Sequence, residues 1–277
     1  DYLTLDYLAE VTLSIMQRQK NKNSNKGYAT DFVSLMSKVM VDIKEKDIKV
    51  ITNAGGVNPE ECKKQLLDIA KQSKINIKIA IIKGDNILKH LNKYHDNGIT
   101  FNNMDNNKSF ENIKDSVYSA NVYIDSFCIA EALKKGADIV LSGRVSDPGL
   151  TVGPAIYEFN WQYTEYDKIA TATLAGHIIE CGAQCSGGNY SKWDEIDDLS
   201  NVGYPIAELS DSTTFNINVV GINDPPILGE NQNQFMNEDS ILEFNILASD
   251  IDEDILEFSA SLEDDSNASL LINEDII

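Results

Sequence analysis

"IKVITNAGGVNPEECKKQLLDIAKQS", residues 48–73, reads as one folding unit. A β-branched run, Ile48 to Thr52, stops at a small-residue loop, Asn53 to Gly56. Helix-start chemistry follows, with Asn58 at the expected N-cap, Pro59 at the first helical position and Glu61 at the capping-box position. A strand, a glycine loop and a helix in that order predict a βα unit of a mostly parallel sheet.

The pattern recurs downstream. "INIKIAIIKG" predicts a strand and "NILKHLNKYH" a helix that carries His90 and His95 as solvated residues. "SANVYID" and "ADIVLSG" predict two further strands, separated by the helix "FCIAEALKKG" with its glycine stop. These strands are apolar throughout, as expected where helices cover both sheet faces. Upstream, "YATDFVSLMSKVMVDIKE" predicts an amphipathic helix with Phe32, Leu35, Met36 and Val39 on one face. At the start, Leu5, Leu8, Val11, Thr12, Ile15 and Met16 recur at helical spacing, so the first element is expected to be a helix.

Beyond about residue 210 the reading changes. "TTFNINVVGI", "SILEFNILASD" and "DILEFSASL" alternate apolar and polar residues between Asn, Asp, Pro and Gly clusters, which predicts a partial all-β sandwich. Charge changes as well. The chain has 277 residues and a net charge of −21; every one of its 23 Lys and Arg lies at or before Lys192. The 21 acids that follow carry the whole net charge. Two modules are therefore expected, an α/β body over 1–209 and a β module over 213–277, with the seam between Glu208 and Thr213.

Some function classes are excluded early. An acidic chain without a basic stripe is a poor nucleic-acid partner. No run of eighteen apolar residues is present, so no membrane span is expected. The four cysteines, 62, 128, 181 and 185, are too sparse for a disulfide scaffold and are read as reduced thiols. No flavin, nicotinamide or P-loop fingerprint is visible, and no cofactor is evident in 1–209.

Two glycine loops are the candidate ligand site. Asn53, Gly55, Gly56 and Asn58 form the first; Gly143 and Arg144 of "SGRVSDPGL" form the second. Ligands of open α/β sheets sit at strand C-terminal ends, and Arg144 can clamp a carboxylate or phosphate bidentately. The bland alternative is a tight turn and a loop pinned by an Arg144–Asp147 pair. In "AGHIIECGAQCSGGN", His177, Cys181 and Cys185 stand at i, i+4 and i+8, and Glu180 offers an acid or base beside His177. Eight residues rise about 12 Å on a helix, so one ion engages only two of those three; a packed helix interior with small residues is the preferred account, and zinc is not expected. The catalytic candidates are Arg144, Asp147, His177 and Glu180. In the acidic tail, Asn223, Asp224, Glu238, Asp250 and Asp252 are oxygen donors of the kind Ca²⁺ accepts.

Two resemblances follow from these stretches. Residues 2–209 resemble the acyclic terpene utilisation (AtuA-like) family through "DYLAE", "GYATDFV", "ITNAGGVNPEEC", "SANVYID", "GADIVLSGRVSDPGL", "AGHIIECGAQCSGGNY" and "VGYPIAEL". The resemblance implies a cytoplasmic protein of citronellol- and geraniol-type terpenoid breakdown, with an acyl or terpenoid small molecule, as carboxylate or CoA thioester, for substrate. It brings no agreed catalytic residues. It also implies a strand and glycine loop upstream of Asp1 and more α/β structure after "PIAE", so both ends read as cut.

Residues from 213 on resemble cadherin-like tandem repeats of large bacterial surface proteins. That likeness implies an extracellular setting and calcium on Asn223, Asp224, Glu238, Asp250 and Asp252. The two likenesses point to different compartments, so an adhesive protein carrying an α/β passenger, or an artefactual fusion, is the alternative reading.

Overall fold

The computed structural model describes the whole chain except residues 8, 9, 197, 198, 200, 201, 221–226, 230–240, 242, 244, 246, 250–255, 257 and 259–277. Its elements up to residue 182 run β1 (Tyr2–Leu5), α1 (Glu10–Lys22), α2 (Thr30–Glu45), β2 (Lys49–Thr52), α3 (Pro59–Gln72), β3 (Ile79–Ile81), α4 (Leu91–Asp96), α5 (Phe127–Lys134), β4 (Ile139–Leu141), α6 (Gly149–Phe159) and α7 (Tyr166–Cys181). Four strands form one sheet in the order β1-β2-β4-β3, and every pairing in it is parallel. The expected α/β architecture with a parallel sheet is therefore present.

The strand period sorts side chains to two faces. Val50, Ile139, Leu141 and Ile79 face the helices α1, α2 and α3, in a core that includes Phe32, Met36, Met40, Cys62 and Leu66. Ile51 and Val140 face the other way, with Ile129, Ala132 and Leu133 of α5 and Leu150 of α6. A third cluster joins Ala130, Val152, Ile156, Trp161 and Ala172 between α5, α6 and α7. Cys62 is buried in the first core, which pushes its thiol pKa up to about 12 and leaves it inert as a nucleophile. None of the four cysteines is in a disulfide.

Three expectations need correction. The first element is a strand, not a helix: Tyr2–Leu5 pairs with Lys49–Thr52, and α1 begins only at Glu10. Four residues are too few to separate a period of 2 from one of 3.6, and an available sheet edge decides the matter. The buried face of α1 is also rotated from the expected one, since Leu13 and Met16 are buried while Val11 and Ile15 are exposed. Finally, "SANVYID" forms no strand. It makes single bridges, Asn86 to Asn121 and Ile124 to Val145, and crosses the ends of the sheet instead of joining it.

Residues 205–218 belong to the same compact unit as residues 1–182. Here β5 (Tyr204–Leu209) and β6 (Phe215–Val220) pair in a two-stranded sheet. The turn between them is bonded to the body. Trp161 Nε1 and Lys168 Nζ both donate to Asp211 Oδ1 at 2.7 Å, and Thr171 Oγ1 donates to the carbonyl of Thr213 at 3.0 Å. Leu209 packs on the third cluster. Hydrogen bonding thus runs straight across the change in composition at 208–213.

The second unit comprises 183–204 and the described residues from Val219 on. Within it, β7 (Ile227–Leu228) and β8 (Ala248–Ser249) form a short antiparallel pair. No cadherin-like sandwich is seen among the described residues. No helix among them is long and apolar enough to cross a membrane.

Candidate functional site

All four strands of the parallel sheet end at one rim, and a polar residue follows each of them. Asp6 follows β1, Asn53 follows β2, Asp85 comes soon after β3, and Arg144 comes soon after β4. The neighbouring strands β2 and β4 lead to helices on opposite faces, since α3 packs in the first core and Leu150 of α6 in the second. Adjacent strands whose helices part in this way open a crevice at their carboxyl ends, where open α/β sheets place ligands.

The two glycine loops meet there, as the strand order requires. Ser142 N donates to the carbonyl of Thr52 at 2.9 Å, and a Cβ on Gly55 would come within 2.6 Å of the carbonyl oxygen of Ser142. Only glycine permits that approach. Gly56 adopts a φ of +53°, and a Cβ there would lie 2.8 Å from the carbonyl of Gly27. The first loop is also covered from outside: Val57 N donates to Gly27 O, and Ala29 N donates to Ala54 O, each at 2.9 Å.

Asn58 occupies the N-cap of α3, but its side chain does not cap the helix. Its Nδ2 donates at 2.8 Å to the carbonyls of Ser24 and Lys26, so it ties down the covering loop. Glu61 accepts from Gln65 at 2.9 Å, one turn further along the helix. Glu60 is ion-paired to Lys83. The three sequence-predicted residues Gly55, Gly56 and Asn58 are thus occupied in holding the rim together. Asn53 is buried; its Oδ1 accepts from Tyr7 N at 2.7 Å and its Nδ2 donates to Asp6 Oδ1 at 2.6 Å, which locks the ends of β1 and β2.

Arg144 is a buried cation at the rim, with a side chain only 3% exposed. One guanidinium nitrogen lies 2.7 Å from Asp147 Oδ1, and Asp147 is 40% exposed. The guanidinium carbon stands 4.4 Å from the centre of the Tyr123 ring, a cation–π contact. Gly143 lies against the carboxylate of Asp85, which a Cβ at position 143 would strike. Asp85 is buried and accepts from Arg144 N at 3.0 Å and from Asn121 Nδ2 at 2.8 Å.

The segment expected to be a strand serves as the cover of this rim. Val122 N donates to Asp85 O at 2.8 Å and Ile124 N to Arg144 O at 3.2 Å, which places Tyr123 between them against the guanidinium. Asp6, Asp85, Asn121 and Tyr123 were missing from the sequence-derived site. Asp85 carried a readable signal, an acid directly after a glycine at a predicted strand end. Tyr123 carried none, because its segment was assigned to the sheet.

The second group of candidates lies on α7. That helix stops at Cys181, followed by Gly182 at a φ of +56°. Cys185 is consequently off the helix, in a short 3₁₀ segment. His177, Glu180 and Cys181 are brought together, with their donor atoms all within 4.8 Å of one another. The calcium candidates Asn223, Asp224, Glu238, Asp250 and Asp252 lie outside the described residues. His95 is half-buried beside Glu111, its Nε2 2.9 Å from the carboxylate, rather than free in solvent.

The family model described as acyclic terpene utilisation family protein AtuA matches residues 1–221. No curated protein and no solved structure matches the chain. Nothing in these comparisons supports a cadherin-like repeat.

Proposed function

Because the chain belongs to the acyclic terpene utilisation family AtuA, we propose that it serves acyclic terpenoid catabolism by binding a terpenoid carboxylate or its CoA thioester at the β2–β4 rim. One observation carries this reading. A buried arginine stands at the switch point of the sheet and is engaged by a carboxylate, Asp147, that reaches into solvent.

An incoming carboxylate or phosphate can replace Asp147 on the guanidinium, because the fork of Arg144 fits any such pair of oxygens. The Tyr123 ring lies against the guanidinium, 4.4 Å from its carbon. Asp85 fixes the backbone at Arg144 N, so the loop need not reorganise when the partner is exchanged. Burial raises the worth of the charge, since water screens it less there.

Titration calorimetry with a geraniol-type acid and its CoA thioester tests the reading. Arg144→Ala is expected to weaken binding by about 1.5–3 kcal/mol, the range for a hydrogen bond to a charged group. Arg144→Lys keeps the charge without the fork and should fall between the two. Near-ultraviolet circular dichroism of each variant reports whether the rim remains folded. Equal affinity of folded Arg144→Ala and wild type for both ligands would remove Arg144 from the binding site.

A further inference from the structure

The C-terminal end of α7 brings together three different donors, an imidazole nitrogen of His177, a carboxylate oxygen of Glu180 and the sulfur of Cys181. We propose that these residues form a binding site for a zinc-like divalent transition metal, with one coordination position left to solvent. The reason begins with spacing. Residues at i, i+3 and i+4 share one helix face, so the three side chains project to one side without any loop having to order them. Cys185, at i+8, is not needed for the set, which removes the objection that its distance along a helix raises.

The spread of the donors fits the ion. Zinc bonds of about 2.0–2.3 Å to nitrogen, oxygen and sulfur, at tetrahedral angles, put donor atoms roughly 3.3–3.7 Å apart. The three atoms here lie within 4.8 Å of one another, a distance that rotation of exposed side chains can close. His177 and Glu180 are exposed and Cys181 is half-exposed, so the ion has an open path. The Cys181 sulfur is already turned to the carboxylate, 3.5 Å from Glu180 Oε2.

Charge favours the same place. The C-terminus of a helix carries a partial negative charge that a cation relieves, and α7 has no basic residue in its last turn. On binding, the Cys181 thiol releases its proton to solvent, and thiolate with carboxylate balances the two charges of the metal. A mixed N, O, S set suits zinc, whereas calcium and magnesium take oxygen alone. Three protein ligands leave a fourth position for water, the arrangement of reactive rather than structural zinc sites.

This site is separate from the arginine rim, although the helix that bears it packs beside the rim's outgoing segment. Gly176 makes that packing close: a Cβ there would lie 3.0 Å from the carbonyl of Pro148. Binding of metal does not depend on the terpenoid reading.

The test is titration of the full metal-free chain with Zn²⁺ by calorimetry, and with Co²⁺ by absorption. One ion per chain is expected, with a thiolate-to-cobalt charge-transfer band. His177→Ala, Glu180→Gln and Cys181→Ser should each weaken binding by about tenfold or more, since even the loss of a supporting residue costs that much. Cys185→Ser should bind as wild type does, and Cys181→Ser should lose the band. Because these side chains are at the surface, the variants should keep the wild-type circular dichroism. Absence of stoichiometric binding overturns the proposal. So does unchanged affinity in His177→Ala, or affinity that follows Cys185 instead of Cys181.

Discussion

Phe32→Ala should lower the free energy of unfolding by about 3–5 kcal/mol, the range for truncating a buried aromatic to alanine. Phe32 is fully buried on α2 and meets Tyr7 edge to face, with ring centres 5.8 Å apart. Met36 and Met40 continue its face of the helix, both buried, against Val50, Ile139 and Leu141 of the sheet. A cavity at Phe32 would be walled on one side by strands fixed in their ladder, so collapse around it is limited. Urea titration followed by circular dichroism measures the loss. A shift below about 1 kcal/mol, the average for any single substitution, would mean that α2 does not anchor this core.

Asp138→Ala should cost about 2–4 kcal/mol at neutral pH, between the worth of a charged hydrogen bond and that of a broken buried pair. Its buried carboxylate sits at the amino-terminal end of β4, at the end of the sheet opposite the rim. It accepts from Lys78 N at 2.8 Å and pairs with Lys44 at 3.1 Å and Lys49 at 3.3 Å. Burial alone would raise its pKa, but the Lys78 amide and the two ammonium groups outweigh burial and hold it below the usual carboxylate value. The sign follows from that direction. A depressed carboxyl contributes stability above its unfolded value, about 3.9, and loses it as the pH falls through the lower folded value. Wild type and Asp138→Ala should therefore converge in melting temperature in acid and separate as the pH rises to neutral. A gap independent of pH would assign the cost to packing instead of charge.

These two positions also show what a sequence exposes and what it conceals. The βα unit at 48–73 was legible because its period persists over many residues, and so were Phe32 and Met36 of the α2 face, although Met40 and Ile43 complete its buried stripe in place of Leu35 and Val39. The N-cap at Asn58 was legible as a position but not as a role. Composition signals that an asparagine suits a helix start; it says nothing of the carbonyls of Ser24 and Lys26, to which its Nδ2 donates while the side chain leaves the helix uncapped. The strand at Tyr2–Leu5 was hidden because its existence depends on a partner far along the chain. The same holds for 120–125, whose β-branched look was real but whose backbone partners are rim carbonyls. The loss of basic residues after Lys192 reports how a surface is solvated, and surface charge does not decide where hydrogen bonding ends. Asp211 and Thr213 bond to α7 and its approach regardless.

The strand order carries a further consequence, for the time course of folding. β4 is the last strand of the sheet to leave the ribosome, yet it lies between β2 and β3. Until it arrives, a nascent chain that has already made α2 and α3 must keep a lane open between two unpaired strand edges. Such edges invite pairing with other chains, and long-range insertion is slow because loop closure precedes the contacts that reward it. Two amides register the event: Val50 N bonds to Asp138 O and Ile82 N to Leu141 O, each at 2.9 Å. In pulse-labelled refolding of the full chain, both should gain protection from exchange together, after the amides of α2. Protection of Val50 in step with α2 would show that the lane closes early, and that the sheet is not filled from its centre last.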